Sequence, residues 1–293
     1  MARVAVVGPG SVGLFFAGHL AAAGHQVISC ARRPFDRYVI ESDEFPLDIE
    51  AAVVTNPADI TSPVDWVLVC VKAHQTEGAA EWLAALCGQD TRVLVVQNGI
   101  EHDRVDPYIN GAPSVPAVVY CGAELVEPGR IAHSSSGRLI VPSEPYGAEL
   151  ANLFENSLAE LASSDNFVTH QWRKLSMNVM ANGLTALTGR RMSVIAEPGV
   201  RPIAVALVRE CWELAQAEGA DLDPDQAESI VETIVAGGRN GGTSMLYDTL
   251  AGRPTEHDAI HGAALRRAER LGIDTPTIRL VHGLLEAKSA AAD

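Results

Sequence analysis

The sequence predicts an α/β chain, with a doubly wound parallel sheet first and an all-helical domain second, and three observations carry that prediction. A short apolar segment, residues 4–7, runs directly into Gly8-Pro9-Gly10-Ser11-Val12-Gly13 and then into an alanine-rich helix. Three further apolar segments, 66–71, 93–96 and 115–120, each end in small or polar residues. Beyond residue 170 the apolar positions recur at helical rather than strand spacing. A sheet domain over 1–169 and a helical domain over 170–293 follow, and 293 residues are enough to give each its own core.

Composition narrows the partners. A hydrophobic fraction of 47% fits a folded globular chain, and a net charge of −15 argues against nonspecific binding to nucleic acid or to an anionic membrane. Small molecules are the expected ligands. The five cysteines, Cys30, Cys70, Cys87, Cys121 and Cys211, are scattered and form no CxxC pair, the pattern of a reduced, cytoplasmic protein. The apolar run ending at Ala23 could pass for a secretory signal, but Gly8, Pro9, Gly10 and Gly13 interrupt it, and no uninterrupted apolar segment elsewhere is long enough to span a bilayer.

The glycine spacing after the first strand is the Rossmann-type dinucleotide fingerprint. Gly8 permits the tight turn, Gly10 lets a pyrophosphate approach the backbone, and Gly13 lets the helix pack closely with its N-terminus toward the phosphates. A lone GxGxxG is weak evidence. Here a strand precedes it, a helix running to near Gly24 follows, and a second strand comes at 26–30. That second strand ends in Ala31-Arg32-Arg33, where NAD binders usually place an acid for the ribose hydroxyls. An arginine suits a 2′-phosphate, so NADP(H) is expected over NAD or S-adenosylmethionine, against the plainer reading of two surface charges. Lys72, Gln97-Asn98-Gly99 and Cys121-Gly122-Ala123 close the next three strands and collect at strand carboxyl ends, where ligands of such sheets bind. Singly, Asn98-Gly99 reads as a turn and Lys72 as a solvated loop residue. A strand-like stretch at 130–141 with Gly137 in a turn, a helix over 146–161 and a last strand at 166–169 complete the domain.

The second domain opens with QWRKLSMNVMANGLTALT, residues 171–188. Lys174, Asn178 and Asn182 lie at i, i+4 and i+8 on one stripe, and no charged residue occurs between Leu175 and Thr188. A solvated face would carry Glu or Arg as well, so this helix reads as buried, its amides and ammonium facing a polar ligand. A helix over 201–218 stopped by Gly219 follows, then one started by Asp223-Pro224 and stopped at Gly237-Gly238. Thr243-Ser244 begins a short helix whose Ser244 hydroxyl and backbone N–H groups could hold a carboxylate. Thr255 reads as the cap of the next helix, with Glu256 in its first turn. On spacing alone, helix capping explains both features better than a ligand contact does. His257 and His261 stand at a zinc-compatible spacing, but a third ligand is missing, and satisfied core or surface histidines fit better. The terminal Ser-Ala-Ala-Ala-Asp reads as a frayed tail.

Taken together, GPGSVG, Arg32, VKAHQ with Lys72, QNG with Asn98, WRKLSMNVMAN, SM with Ser244 and TEHD with Glu256 resemble the ketopantoate reductases (2-dehydropantoate 2-reductases), within the 6-phosphogluconate-dehydrogenase-like group. The resemblance spans nearly the whole chain. It implies a Rossmann domain followed by a helical one, with the active site in the cleft between them, and NADPH-dependent reduction of a small 2-oxo acid. By the same resemblance Lys174 is the general acid, Asn178, Asn182 and Ser244 position substrate, Asn98 touches cofactor and substrate, and Glu256 lies beside the nicotinamide. Arg32, Lys72 and the backbone at Ala123 match cofactor contacts. A lysine protonated at neutral pH can both protonate the nascent alkoxide and offset its charge. Family members often carry another polar residue about ten positions after the second asparagine; this chain has Met192 there, behind Arg190 and Arg191. A different 2-oxo acid or ketone as substrate, and a non-catalytic NADPH sensor, are the alternatives. A homodimer stays open: many such two-domain reductases pair through their helical domains, but these helices show no obvious seam.

Overall fold

The computed structural model describes residues 1–237 and 240–290. The chain forms two compact units, Met1–Gln97 with His102–Phe167, and Asn98–Glu101 with Val168–Asp293. The first unit departs from the expected 1–169 boundary because four residues after Gln97 pack with the helical unit.

The strands are β1 (Arg3–Val7), β2 (Gln26–Cys30), β3 (Arg37–Glu41), β4 (Leu47–Glu50), β5 (Ala52–Val54), β6 (Trp66–Val69), β7 (Arg92–Val95), β8 (Ser114–Pro116), β9 (Val118–Glu127), β10 (Arg130–Pro142) and β11 (Glu160–Ser164). Six of them form an all-parallel sheet in the order β5–β2–β1–β6–β7–β8. The order reverses direction between β1 and β6, the switch point at which Rossmann-type sheets bind dinucleotides. Both faces are covered, so the strands read as continuous apolar runs: Val4, Val6, Leu68 and Leu94 enter one core, Ala5, Val7, Val67 and Val93 the other.

Helix α1 (Ser11–Ala22) is buried from Gly13 to Leu20, which explains its all-round apolar sequence. It packs on β1 and β2 and also on β3, β4, β9 and β10 of a second sheet. That sheet runs β11–β10–β3–β4 with β9 on β10. Of its strands β10 matches the stretch expected at 130–141, and the sheet accounts for three corrections. The expected strand at 115–120 is two: β8 ends the parallel sheet, and β9 leaves for the second, so Cys121-Gly122-Ala123 lies inside β9 with Ala123 opposite His133. Gly137 is no turn; it sits within β10, where a Cβ would come 2.3 Å from the Phe15 ring of α1. After α2 (Ala80–Leu86), the helix α3 (Gly147–Phe154) is shorter than expected, because 160–164 joins β10 as parallel β11. The strand expected at 166–169 is the first turn of α4 (Phe167–Thr188) instead, where Phe167 is buried with Val118 and Ile140.

The helical unit adds α5 (Arg201–Ala217), α6 (Ala227–Ala236), α7 (Ser244–Leu250), α8 (Ala263–Leu271) and α9 (Pro276–Ala290). The expected stop at Gly238, and the tail beyond 290, lie outside the described residues. Asp223 accepts from the Asp225 N–H as a cap, ahead of a 3-10 turn rather than of α6 itself. The core joins α4, α5 and α8 through Trp172, Leu175, Val179, Leu207, Trp212 and Ala264. Glu210 of α5 is buried and accepts from the Thr277 and Ile278 N–H groups at 2.9 Å each, capping α9 from a neighbouring helix.

Removing that carboxylate leaves two N–H groups of α9 buried without acceptors. Glu210→Ala is expected to lower stability by about 2–4 kcal/mol, read as a lower urea midpoint at unchanged slope.

Candidate functional site

In the α/β unit, Gly8 takes φ 88°, and a Cβ there would fall 2.5 Å from Val71. At Gly13 a Cβ would meet the Gly8 carbonyl at 2.4 Å, so both positions require glycine. Gly10, the N-cap of α1, differs: the space where its Cβ would stand is open for 4 Å. No side chain caps this helix and its first turn carries no acid. Bare N–H groups, open space and the positive helix end are what a dinucleotide diphosphate requires. Pro9, Ser11 and Val12 are half-buried around this loop, and Arg32 and Arg33 are exposed just past β2.

Lys72 is half-buried and precedes a 3-10 turn, Ala73–Gln75. Gln97, at the end of β7, donates to the Val71 carbonyl at 2.9 Å and to Thr76 Oγ1 at 3.0 Å. Thr76 in turn donates to the Ala73 carbonyl at 2.9 Å. Gln97 thus staples the segment that carries Lys72, a role its place in a Gln-Asn-Gly run did not reveal. Ala123, inside β9, does not stand at the end of a strand of the parallel sheet.

In the helical unit, Lys174 and Asn178 are half-buried on α4 and Asn182 is buried. The segment 98–101 belongs to the same unit. Asn98 Nδ2 donates to Glu256 Oε2 at 2.9 Å, and Asn178 Nδ2 stands 3.5 Å from Asn98 Oδ1. Glu256 is only 7% exposed, so its carboxylate needs such donors. Gly99, at φ 99°, lets the backbone approach Ala259, whose carbonyl would lie 2.4 Å from a Cβ. Three residues expected from sequence, Asn98, Asn178 and Glu256, are therefore hydrogen-bonded in one chain, with Lys174 and Asn182 one turn to either side of Asn178.

Ser244 is exposed at the first position of α7. Thr243, the cap, accepts from the Leu246 N–H at 3.1 Å and shares a hydrogen bond with Thr185 of α4 at 2.7 Å. Thr185 ties the start of α7 to α4, a link the sequence gave no sign of. Thr255 does not cap a backbone N–H as expected; its hydroxyl bonds His257 Nδ1 at 2.8 Å, and the helix begins with a π-helical turn, Asp258–Gly262. Such turns reorient side chains at functional sites. His261 leaves this turn into the core and donates from Nε2 to the Val179 carbonyl at 2.9 Å. Its ring fills the space beside Gly183, where a Cβ would come within 2.6 Å. Among the described residues no group of three or more His, Cys, Asp or Glu could hold a metal ion. Met192 begins a 3-10 turn and packs against the helical core, while Arg190 is paired with Glu197 at 2.6 Å. No helix among the described residues is long and apolar enough to cross a membrane.

A glycine-rich loop at the switch point of a parallel sheet, joined in one chain to an all-helical unit with a polar helix stripe, defines a Rossmann-type oxidoreductase architecture. Comparison with known proteins narrows this to a family. Residues 4–145 match the family model described as ketopantoate reductase PanE/ApbA, and residues 166–289 match its C-terminal counterpart. The 2-dehydropantoate 2-reductase of Caulobacter vibrioides is 37% identical over 98% of this chain and 99% of its own. A PanE/ApbA family ketopantoate reductase from Ralstonia eutropha superposes with a TM-score of 0.89 at 30% identity over 99% of both chains. A dimeric ketopantoate reductase from Staphylococcus aureus gives 0.87 at 26% identity over 99% of this chain and 100% of that one. The chain belongs to the ketopantoate reductase family.

Burial lowers the pKa of His261 from 6.5 to about 3, with the Val179 hydrogen bond opposing. Burial likewise lowers His19 and His102 to about 4. The folded chain refuses protons that the unfolded chain accepts, so this stability is complete above the unfolded value and is lost as pH falls below it. The urea midpoint is expected to drop between about pH 7 and about pH 5, and to drop less in His261→Gln.

Proposed function

We propose that the protein reduces a small branched 2-oxo acid with NADPH, most simply 2-dehydropantoate to pantoate in pantothenate synthesis, in the cytoplasm. The observation that carries the reading is the hydrogen-bonded Glu256–Asn98–Asn178 chain, whose Asn178 lies on the α4 stripe that also bears Lys174. Residues 8–13 would hold the diphosphate, Arg32 the 2′-phosphate, Lys72 and the Ala123 backbone further parts of the dinucleotide, and Asn98 and Glu256 its nicotinamide end. When bound, the reduced nicotinamide supplies a hydride to the ketone carbon. Lys174 donates a proton to the oxygen as it becomes an alkoxide, and its ammonium offsets the charge that develops there. Asn178 and Asn182 orient the substrate without adding charge, and Ser244 donates to its carboxylate or hydroxyl. Glu256, held by Asn98, supplies a fixed negative charge that favours the protonated lysine.

Met192 favours a second reading, the same chemistry on a different 2-oxo acid or ketone. Its side chain packs against the helical core at the position where family members often carry a polar residue. A homodimer belongs to the proposal as well, because the Staphylococcus aureus relative is dimeric.

Following NADPH absorbance with 2-dehydropantoate, alongside NADH and a panel of branched 2-oxo acids, tests both readings. Fast oxidation with 2-dehydropantoate supports the first; turnover confined to another member of the panel supports the second, and NADPH binding without any turnover overturns both. Lys174→Ala is expected to lower kcat by about 10²–10⁴-fold while NADPH still binds. Arg32→Ala should raise KM for NADPH by about tenfold and leave KM for NADH unchanged, as a lost charge-assisted contact to the 2′-phosphate requires.

A further inference from the structure

Asn98 does not reach Glu256 on the strength of its own sheet. It belongs to a four-residue segment that packs with the helical unit between two stretches that belong to the other. Its bond to Glu256, at 2.9 Å, fastens only the first residue of the segment. A stronger attachment lies at the far end of the segment. Arg266 of α8 donates from Nε and Nη2 to the two carboxylate oxygens of Glu101, each at 2.8 Å. The same guanidinium donates from Nη1 to Asp258 Oδ1 at 2.7 Å and from Nη2 to the Asp258 carbonyl at 3.1 Å. One planar cation therefore clamps the Asn98 segment with a two-pronged bond and grips the π-helical turn two residues after Glu256.

Two details show that this clasp is built in. The Glu101 side chain is 16% exposed, which weakens solvent competition for its bonds. Gly262 lies beneath the cluster, where a Cβ would come 2.4 Å from Asp258 Oδ1 and 3.1 Å from Arg266 Nη1. A side chain there would displace the carboxylate from the guanidinium.

We propose that Arg266, through Glu101 and Asp258, is a positioning residue that sets Asn98 against Glu256, and so fixes the polar end of the site. Its own bonds go to Glu101 and Asp258. The proposal rests on the function proposed above only for its kinetic readout, so the first test is made without turnover. In the ligand-free protein, hydrogen–deuterium exchange is measured for wild type, Arg266→Gln and Glu101→Gln. At least tenfold faster exchange at 98–101, with α4 protected as in wild type, is the expected result. Wild-type protection at 98–101, or an equal loss across the whole helical unit, overturns the proposal, the second by giving Arg266 only a structural role. Should the wild type reduce no 2-oxo acid, this measurement still decides the matter.

The kinetic test is a double-mutant cycle with Asn98→Ala. Arg266→Gln is expected to lower kcat about 10–100-fold in the wild-type background, with partial recovery in Arg266→Lys. In the Asn98→Ala background the same substitution should change kcat by less than about twofold. Equal losses in both backgrounds would show that Arg266 does not act through Asn98.

Discussion

The bond between Asn98 and the buried Glu256 carboxylate is the contact on which the helical unit's polar site depends. A charge with 7% exposure is tolerated only where donors face it, and this donor comes from a segment more than a hundred and fifty residues earlier, at a sequence separation of 158. The need to bring Asn98 there explains why Gly99 has to be a glycine, why Ile100 lies in the helical core, and why Glu101 ends in an ion pair. Each of four consecutive residues has its own fixed attachment to the helical unit.

Around that contact the helices are tied in register by buried polar groups. His261 fills the notch at Gly183 and ties itself to a carbonyl of α4 between Asn178 and Asn182. Thr185 holds Thr243, and with it the start of α7. These links act on α4 from two sides, along the stretch whose stripe carries the amides. Rigid placement of hydrogen-bonding groups is what lets a site stabilise developing charge without reorganising.

Legibility in the sequence followed the range of the physics. The glycines of residues 8–13 were readable because each answers a local backbone demand, and the parallel strands because burial on both faces leaves unbroken apolar runs. The stripe on α4 was readable from its period. The second sheet was not, since β3 and β4 are only five and four residues long. Gly137 looked like a turn because the Phe15 ring that excludes a side chain there is distant in sequence. Phe167-Val168-Thr169 has the composition of a strand, and tertiary burial of Phe167 made it a helix start. Nothing local could disclose the clasp of Arg266 on Glu101, whose partners are separated by 165 positions.

The placement of residues 98–101 also governs how this chain can be divided. The helical unit is not a contiguous stretch of polypeptide: the chain passes into it after Gln97, leaves it after Glu101 and enters again after Phe167. No single cut separates the two units with both complete. A fragment beginning at Val168 would carry Glu256 without the amide that faces it and Arg266 without its Glu101 carboxylate, while the complementary fragment would display Ile100 with no core to receive it. Cutting the chain at the apparent domain border would thus part Glu256 and Arg266 from the residues that face them.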